Sequence, residues 1–107
     1  MSLVQKSFKE LTAMLEEVAT RFFMAKTLQK RQREGESVAE HSPAYEIYLM
    51  KVEEAYQKLD EREKNLINNE FFFQNYHNWW IGLYSKTSFY RYKKQAMLHF
   101  LEVFYHV

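Results

Sequence analysis

The chain predicts an all-α domain of about five helices: an N-terminal helical hairpin followed by a three-helix C-terminal part with a helix-turn-helix. Three observations point there. Apolar residues recur at spacings of three and four along most of the chain. Only two glycines and one proline interrupt 107 residues, which favours long helices over strands and turns. Capping residues also stand where the apolar stripes begin.

The first helix is expected from about Leu3 to Glu34. Val4, Phe8, Leu11, Leu15, Val18, Phe22 and Ala25 form a heptad-like seam, widened by Met14, Phe23 and Leu28. The widening suits packing within one domain; a strict seam would serve a dimerising coiled coil. Lys26, Lys30, Arg31 and Arg33 gather near the helix end, where cations complement the helix dipole. Gly35 to Pro43 reads as the one substantial loop, with Gly35 as a helix stop and Ser42 and Pro43 as the next start.

A second helix is expected from about Pro43 to Lys58, with Tyr45, Tyr48, Leu49, Val52, Tyr56 and Leu59 on one face. Pairing it antiparallel with the first completes the hairpin over 1–58. Asp60 and Glu63 have the spacing of a capping box, opening a third helix that runs to about Phe73. Phe71, Phe72 and Phe73 cannot all face one way on an α-helix, so at least one must meet the hairpin or stay partly exposed. Asn75 is placed to cap a short fourth helix over 76–83, containing Trp79, Trp80 and Ile81. Ser85 then caps a fifth helix to about Tyr105, its core face drawn from Phe89, Tyr92 or the Lys93 stem, Ala96, Phe100, Val103 and Phe104. The last two helices and the third make up the 59–107 part of what reads as a single domain.

Composition narrows the function. A formal charge of +1 excludes a non-specific polycation, so any nucleic-acid contact needs locally concentrated charge. With no cysteine there is neither a disulfide nor a thiolate metal site. No apolar run approaches the ~20 residues of a membrane span and no signal pattern opens the chain, which points to a soluble cytoplasmic protein.

The stretch from Gly82 to Ala96 is the most informative. A glycine stop and a Ser-Lys-Thr-Ser cluster open a helix with basic residues among aromatics, the pattern of a recognition helix. Its DNA-facing candidates are Ser85, Lys86, Thr87, Ser88, Tyr90, Arg91 and Lys94. Arg91 suits a base contact, since a guanidinium bridges guanine O6 and N7. Lys86 and Lys94 suit phosphates, and Ser85 and Thr87 can donate to a phosphate beside a helix N-terminus. From Leu83 onward four cations stand against Glu102, a local charge of +3, modest for a DNA reader.

From Leu59 the order of features resembles region 4 of bacterial sigma factors and the related ArpU-type phage transcriptional regulators. Leu59-Asp-Glu-Arg-Glu-Lys64 is similar to the L-P-E-R-E-R opening of that region, and Glu70-Phe71-Phe72 to its closing R-Y-F element. Ser88 to Ala96 resembles the S-x-Y-Y-R-x-K-K-x-A style of the ArpU group. The resemblance spans Leu59 to Phe104. Trp79 stands near a position where the family has a small residue, and Gly82 comes one residue before the usual glycine. The resemblance implies a transcriptional regulator that binds double-stranded DNA. RNA polymerase would be a further partner on that resemblance, and the heptad-like seam of the first helix would allow a second copy of the chain to join there.

Enzyme chemistry finds no support. His41, His77, His99 and His106 fall on separate elements or two turns apart, and no His-x-x-x-His or Glu-x-x-His set is present. Glu16-Glu17 and Glu53-Glu54 read as solvated faces, and no phosphate-binding glycine loop or nucleophile elbow occurs. No enzyme activity, cofactor or metal is expected. The alternative to DNA binding is a helical protein–protein interaction module, a sigma-like fold using the Phe71–Phe73 and Trp79–Trp80 clusters as an exposed aromatic patch.

Overall fold

The computed structural model describes residues 3–33, 44–73 and 77–106, apart from the side chains of residues 32 and 33. Among them are four α-helices: α1 (Phe8–Arg33), α2 (Ala44–Gln57), α3 (Glu61–Ile67) and α4 (Lys86–Tyr105). A π turn, Asn68–Phe72, extends α3. No strand forms among the described residues; one isolated bridge joins Ile81 and Tyr84. The Gly35 stop, the Ser42–Pro43 start and the Asn75 cap lie outside the described residues.

Helix α1 begins later than the seam suggests, because Ser7 and Glu10 form a reciprocal cap. The Glu10 N–H donates to Ser7 Oγ and the Ser7 N–H to Glu10 Oε1, each at 3.1 Å. Val4 therefore precedes the helix and is exposed, whereas Leu11, Leu15, Val18 and Ala25 are buried. That seam is filled by the chain's own helices. Thr12 Oγ1 reaches Met97 of α4, and the Tyr48 hydroxyl of α2 donates to the Val18 carbonyl at 3.4 Å. Near the far end of α1, Ala25 and Leu28 share a groove with Ala44 and Tyr45, as an antiparallel α1–α2 hairpin requires.

The capping box at the start of α3 is complete, with the Glu63 N–H bound to Asp60 Oδ1 at 2.8 Å and the Asp60 N–H to Glu63 Oε1 at 3.0 Å. The same Glu63 carboxylate also holds Nδ1 of His99 on α4 at 2.9 Å. The π turn resolves the three-phenylalanine problem. Its wider ring, marked by the Phe73 N–H bonding to the Asn68 carbonyl at 2.7 Å, lets adjacent Phe71 and Phe72 both turn inward. Phe73 then points out and is 77% exposed.

The fourth helix expected over 76–83 is not formed in its described part. Residues 77–84 make tight turns held by bonds from Ile81 N–H to Asn78 O and from Leu83 and Tyr84 N–H to Trp80 O. Gly82 adopts φ +93°, outside the range of a right-handed helix. Bulky aromatic and β-branched residues are middling helix formers, and here tertiary contacts claim them: Trp80 stacks on Phe89 at 4.4 Å and Trp79 meets the same ring edge-on at 6.0 Å. The described residues thus place turns, not a helix, immediately ahead of α4.

Helix α4 packs against each of the other three helices. Its N-terminal half lies beside the start of α1 through Phe8 and Tyr90, whose rings are 5.6 Å apart, and Phe104 reaches Tyr48 of α2. Phe89, Ala96, Met97, Phe100, Leu101 and Phe104 are buried; Val103 and Tyr92 lie at the core's edge. One apolar cluster runs from Leu3 to Phe104. No helix among the described residues is long and apolar enough to cross a membrane.

Candidate nucleic-acid interface

The Ser85 backbone is extended, and its Oγ accepts the Ser88 N–H at 3.1 Å, so α4 starts at Lys86. This satisfies one of the helix's unpaired N–H groups and commits the Ser85 acceptor, while its hydroxyl hydrogen stays available. No acidic residue lies in the first turn of α4, leaving the partial positive charge of the helix end uncompensated there.

Of the seven candidates, Ser85, Lys86, Thr87, Tyr90, Arg91 and Lys94 are exposed and Ser88 is half-buried. At 100° per residue, Lys86, Thr87, Tyr90, Arg91 and Lys94 fall within an arc of about 140°. The core residues of this half, Phe89 and Ala96, face elsewhere. The candidates are therefore brought together on one surface, though not all are equally free. Tyr90 leans on the rings of Phe8, Trp80 and Phe89, with part of its edge exposed. Lys86, Arg91 and Lys94 form no ion pair with a carboxylate among the described residues.

Lys93, counted in the local charge of the sequence, belongs to the interior. Its ammonium bonds Glu70 Oε1 at 2.7 Å and lies over the rings of Phe8, Phe71 and Phe89 at 5.4, 5.4 and 5.9 Å. The other Glu70 oxygen accepts the Trp79 indole N–H at 2.8 Å. This network ties α4 to the π turn and to the turns over 77–84, and so fixes the approach to Lys86.

Arg62 and Tyr92, neither of them among the seven candidates, add to this surface. Arg62 of α3 stands over the Tyr92 ring with its Cζ 4.3 Å from the ring centre, and Arg91 lies 5.1 Å from the same centre. Tyr84 packs edge-on against Tyr92 at 5.6 Å. The neighbouring guanidiniums of Arg91 and, next, Arg62 hold the Tyr92 phenol below its ordinary value of 10. Arg62 sits 30 residues from Tyr92 in sequence, and no local spacing signals their meeting.

Among the described residues no three His, Asp or Glu side chains gather to hold a metal. His41 lies outside those residues. No family model, curated protein or solved structure matches the chain.

Proposed function

We propose that the protein binds double-stranded DNA through the N-terminal face of α4 and acts in transcriptional control. The observation that carries this reading is the grouping of Lys86, Arg91 and Lys94, exposed and without carboxylate partners among the described residues, at a helix start that holds no acid. Lysines at such a position suit phosphates, Thr87 can donate to a phosphate beside the helix start, and Arg91 supplies paired donors for a base edge. The sigma-like and ArpU-like pattern of the α4 sequence supports the same reading.

With turns in place of the preceding helix, α4 would enter a major groove by its N-terminal end, steadied by the turns over 77–84. A homodimer would use surfaces other than the buried seam of α1.

The test is fluorescence anisotropy on mixed-sequence duplex DNA across a salt series, for the native chain and an Arg91→Ala, Lys94→Ala double variant. Affinity falling with salt, with a shallower slope in the variant, supports the assignment. Absence of binding at low salt, or a slope indifferent to both substitutions, overturns it.

A second reading rests on Phe73, Ile81 and Leu83, which are 77%, 61% and 66% exposed. These residues would serve a protein partner in a helical interaction module without DNA binding. Loss of partner capture in a Phe73→Ser, Leu83→Ser variant, with no DNA binding by the native chain, would favour it.

A further inference from the structure

Two guanidinium groups, from different helices, converge on one phenol. Both lie within 5.1 Å of the Tyr92 ring centre, and neither pairs with a carboxylate among the described residues. Arg62 and Arg91 are exposed, and Tyr92 is half-buried. A cation on an aromatic face is an ordinary surface contact. Two unneutralised cations gathered on one ring are different, since they repel each other unless an anion joins them. Planar guanidiniums present paired N–H donors, and a phenol adds an O–H donor, the set that matches the oxygens of a phosphate.

We infer that Arg62, Arg91 and the Tyr92 hydroxyl form a phosphate-binding site, and that in the proposed complex it holds a backbone phosphate of the DNA. This deepens the DNA reading and rests on it for the source of the phosphate. It adds α3 to the interface and gives Arg91 to the backbone instead of a base edge, so that the contact surface spans two helices rather than one. Tyr84, packed against Tyr92, backs the site and limits the motion of the ring. The depressed ionisation of Tyr92 agrees with a positive local potential.

Two probes on the full chain separate the site from the reading. Inorganic phosphate is titrated while the Arg62 and Arg91 Nε–H signals and the Tyr92 ionisation are followed by NMR. A bound anion disfavours phenolate, so the Tyr92 pKa must rise as phosphate binds, and both arginine signals must shift saturably. The second probe is mixed-sequence duplex DNA, with Arg62→Gln compared against the native chain. Loss of one phosphate contact lowers the log–log salt slope by about 0.9, and loss of a charge-assisted hydrogen bond weakens low-salt binding roughly tenfold.

Both effects together support the inference and assign the phosphate to DNA. Phosphate binding without DNA binding supports the anion site while overturning DNA as its source and the reading with it. DNA binding that Arg62→Gln leaves unchanged overturns the inference and leaves the α4 reading standing. Phosphate shifts no larger at Arg62 and Arg91 than at Lys86 and Lys94 also overturn it. Arg62 is exposed, so far-ultraviolet circular dichroism should show Arg62→Gln folded; Tyr92→Phe, which keeps the ring, is the second variant and must weaken phosphate binding at both arginines.

Discussion

The Lys93 ammonium lies 2.7 Å from the Glu70 carboxylate, and neither side chain is more than 16% exposed. The pair joins α4 to the π turn, and through Trp79 it also holds the turns that lead into α4. Removing one member leaves the other charge half-buried with fewer partners. Lys93→Met or Glu70→Ala should cost about 2–4 kcal/mol in urea unfolding, at or below the range for breaking a buried pair because some solvent reaches both groups. The double variant Lys93→Met, Glu70→Gln should recover part of that loss, since no lone charge remains. Singles that cost nothing, or a double that costs their full sum, would show that the pair is not coupled.

This pair also marks the limit of what the sequence made legible. Local signals worked well: the Asp60–Glu63 box, the Ser85 cap and the apolar faces of α2 and α4 all follow from spacings within one element. The π turn did not follow, because widening that helix is favourable only where Phe71 and Phe72 find partners, as Phe72 does in Phe22 and Phe100. The turns over 77–84 were hidden for the same reason, since Trp79 and Trp80 fit an apolar helix pattern but are claimed by Phe89 and Glu70. On the candidate surface, exposure of Lys86, Arg91 and Lys94 could be read from helical phase. The same phase places the Lys93 stem on the core side, but the Glu70 partner of its ammonium and the meeting of Arg62 with Tyr92 lie 23 and 30 residues apart in sequence, which periodicity cannot locate.

The start of α1 should respond to acid. Hydrogen bonds from the Ser7 backbone N–H, and then from its side chain, hold the Glu10 carboxyl below its ordinary value of 4.5. A carboxyl lowered in the folded state contributes stability that is full above 4.5 and is lost as pH falls through the lower folded value. Ser7→Ala removes the second cause and leaves the first, so the Glu10 titration measured by carbon NMR should move only part of the way back. A Glu10 titration in the native chain at its ordinary value would contradict the cap.

Gly82 carries a different kind of constraint. A Cβ built there meets no atom within 4 Å, yet φ is +93°. The cost of Gly82→Ala is therefore conformational, about 1–2 kcal/mol. Gly82→Asn should cost less, because asparagine tolerates left-handed backbone better than alanine. The effect is local to the turns, so Trp80 fluorescence should report it together with a lowered urea midpoint. Equal stability of the alanine variant and the native chain would mean that the turn relaxes to another conformation.

The alkaline limb of stability should depend on Tyr48. Burial raises its phenol above the ordinary value of 10, with the nearby Tyr105 adding to the shift, and its hydroxyl donates to the Val18 carbonyl across the α1–α2 hairpin. A raised pKa gives stability that is fully present below 10 and is lost as pH rises through the folded value. Tyr48→Phe should make unfolding less sensitive to pH in that window while costing about 1 kcal/mol at neutral pH for the lost hydrogen bond. Identical alkaline profiles for the two chains would remove Tyr48 as the cause.

The seam of α1 separates folding from self-association. Leu15 is fully buried within the chain, among residues that α2 and α4 supply. Leu15→Ala should cost about 2–5 kcal/mol, the range for deleting a buried leucine where the site collapses only in part. Because the contacts are intramolecular, the urea midpoints of the native chain and the variant should not change with protein concentration. A midpoint that rises with concentration in the native chain and loses that dependence in Leu15→Ala would mean that the seam is shared between two copies. The antiparallel α1–α2 hairpin would then exchange partners in solution.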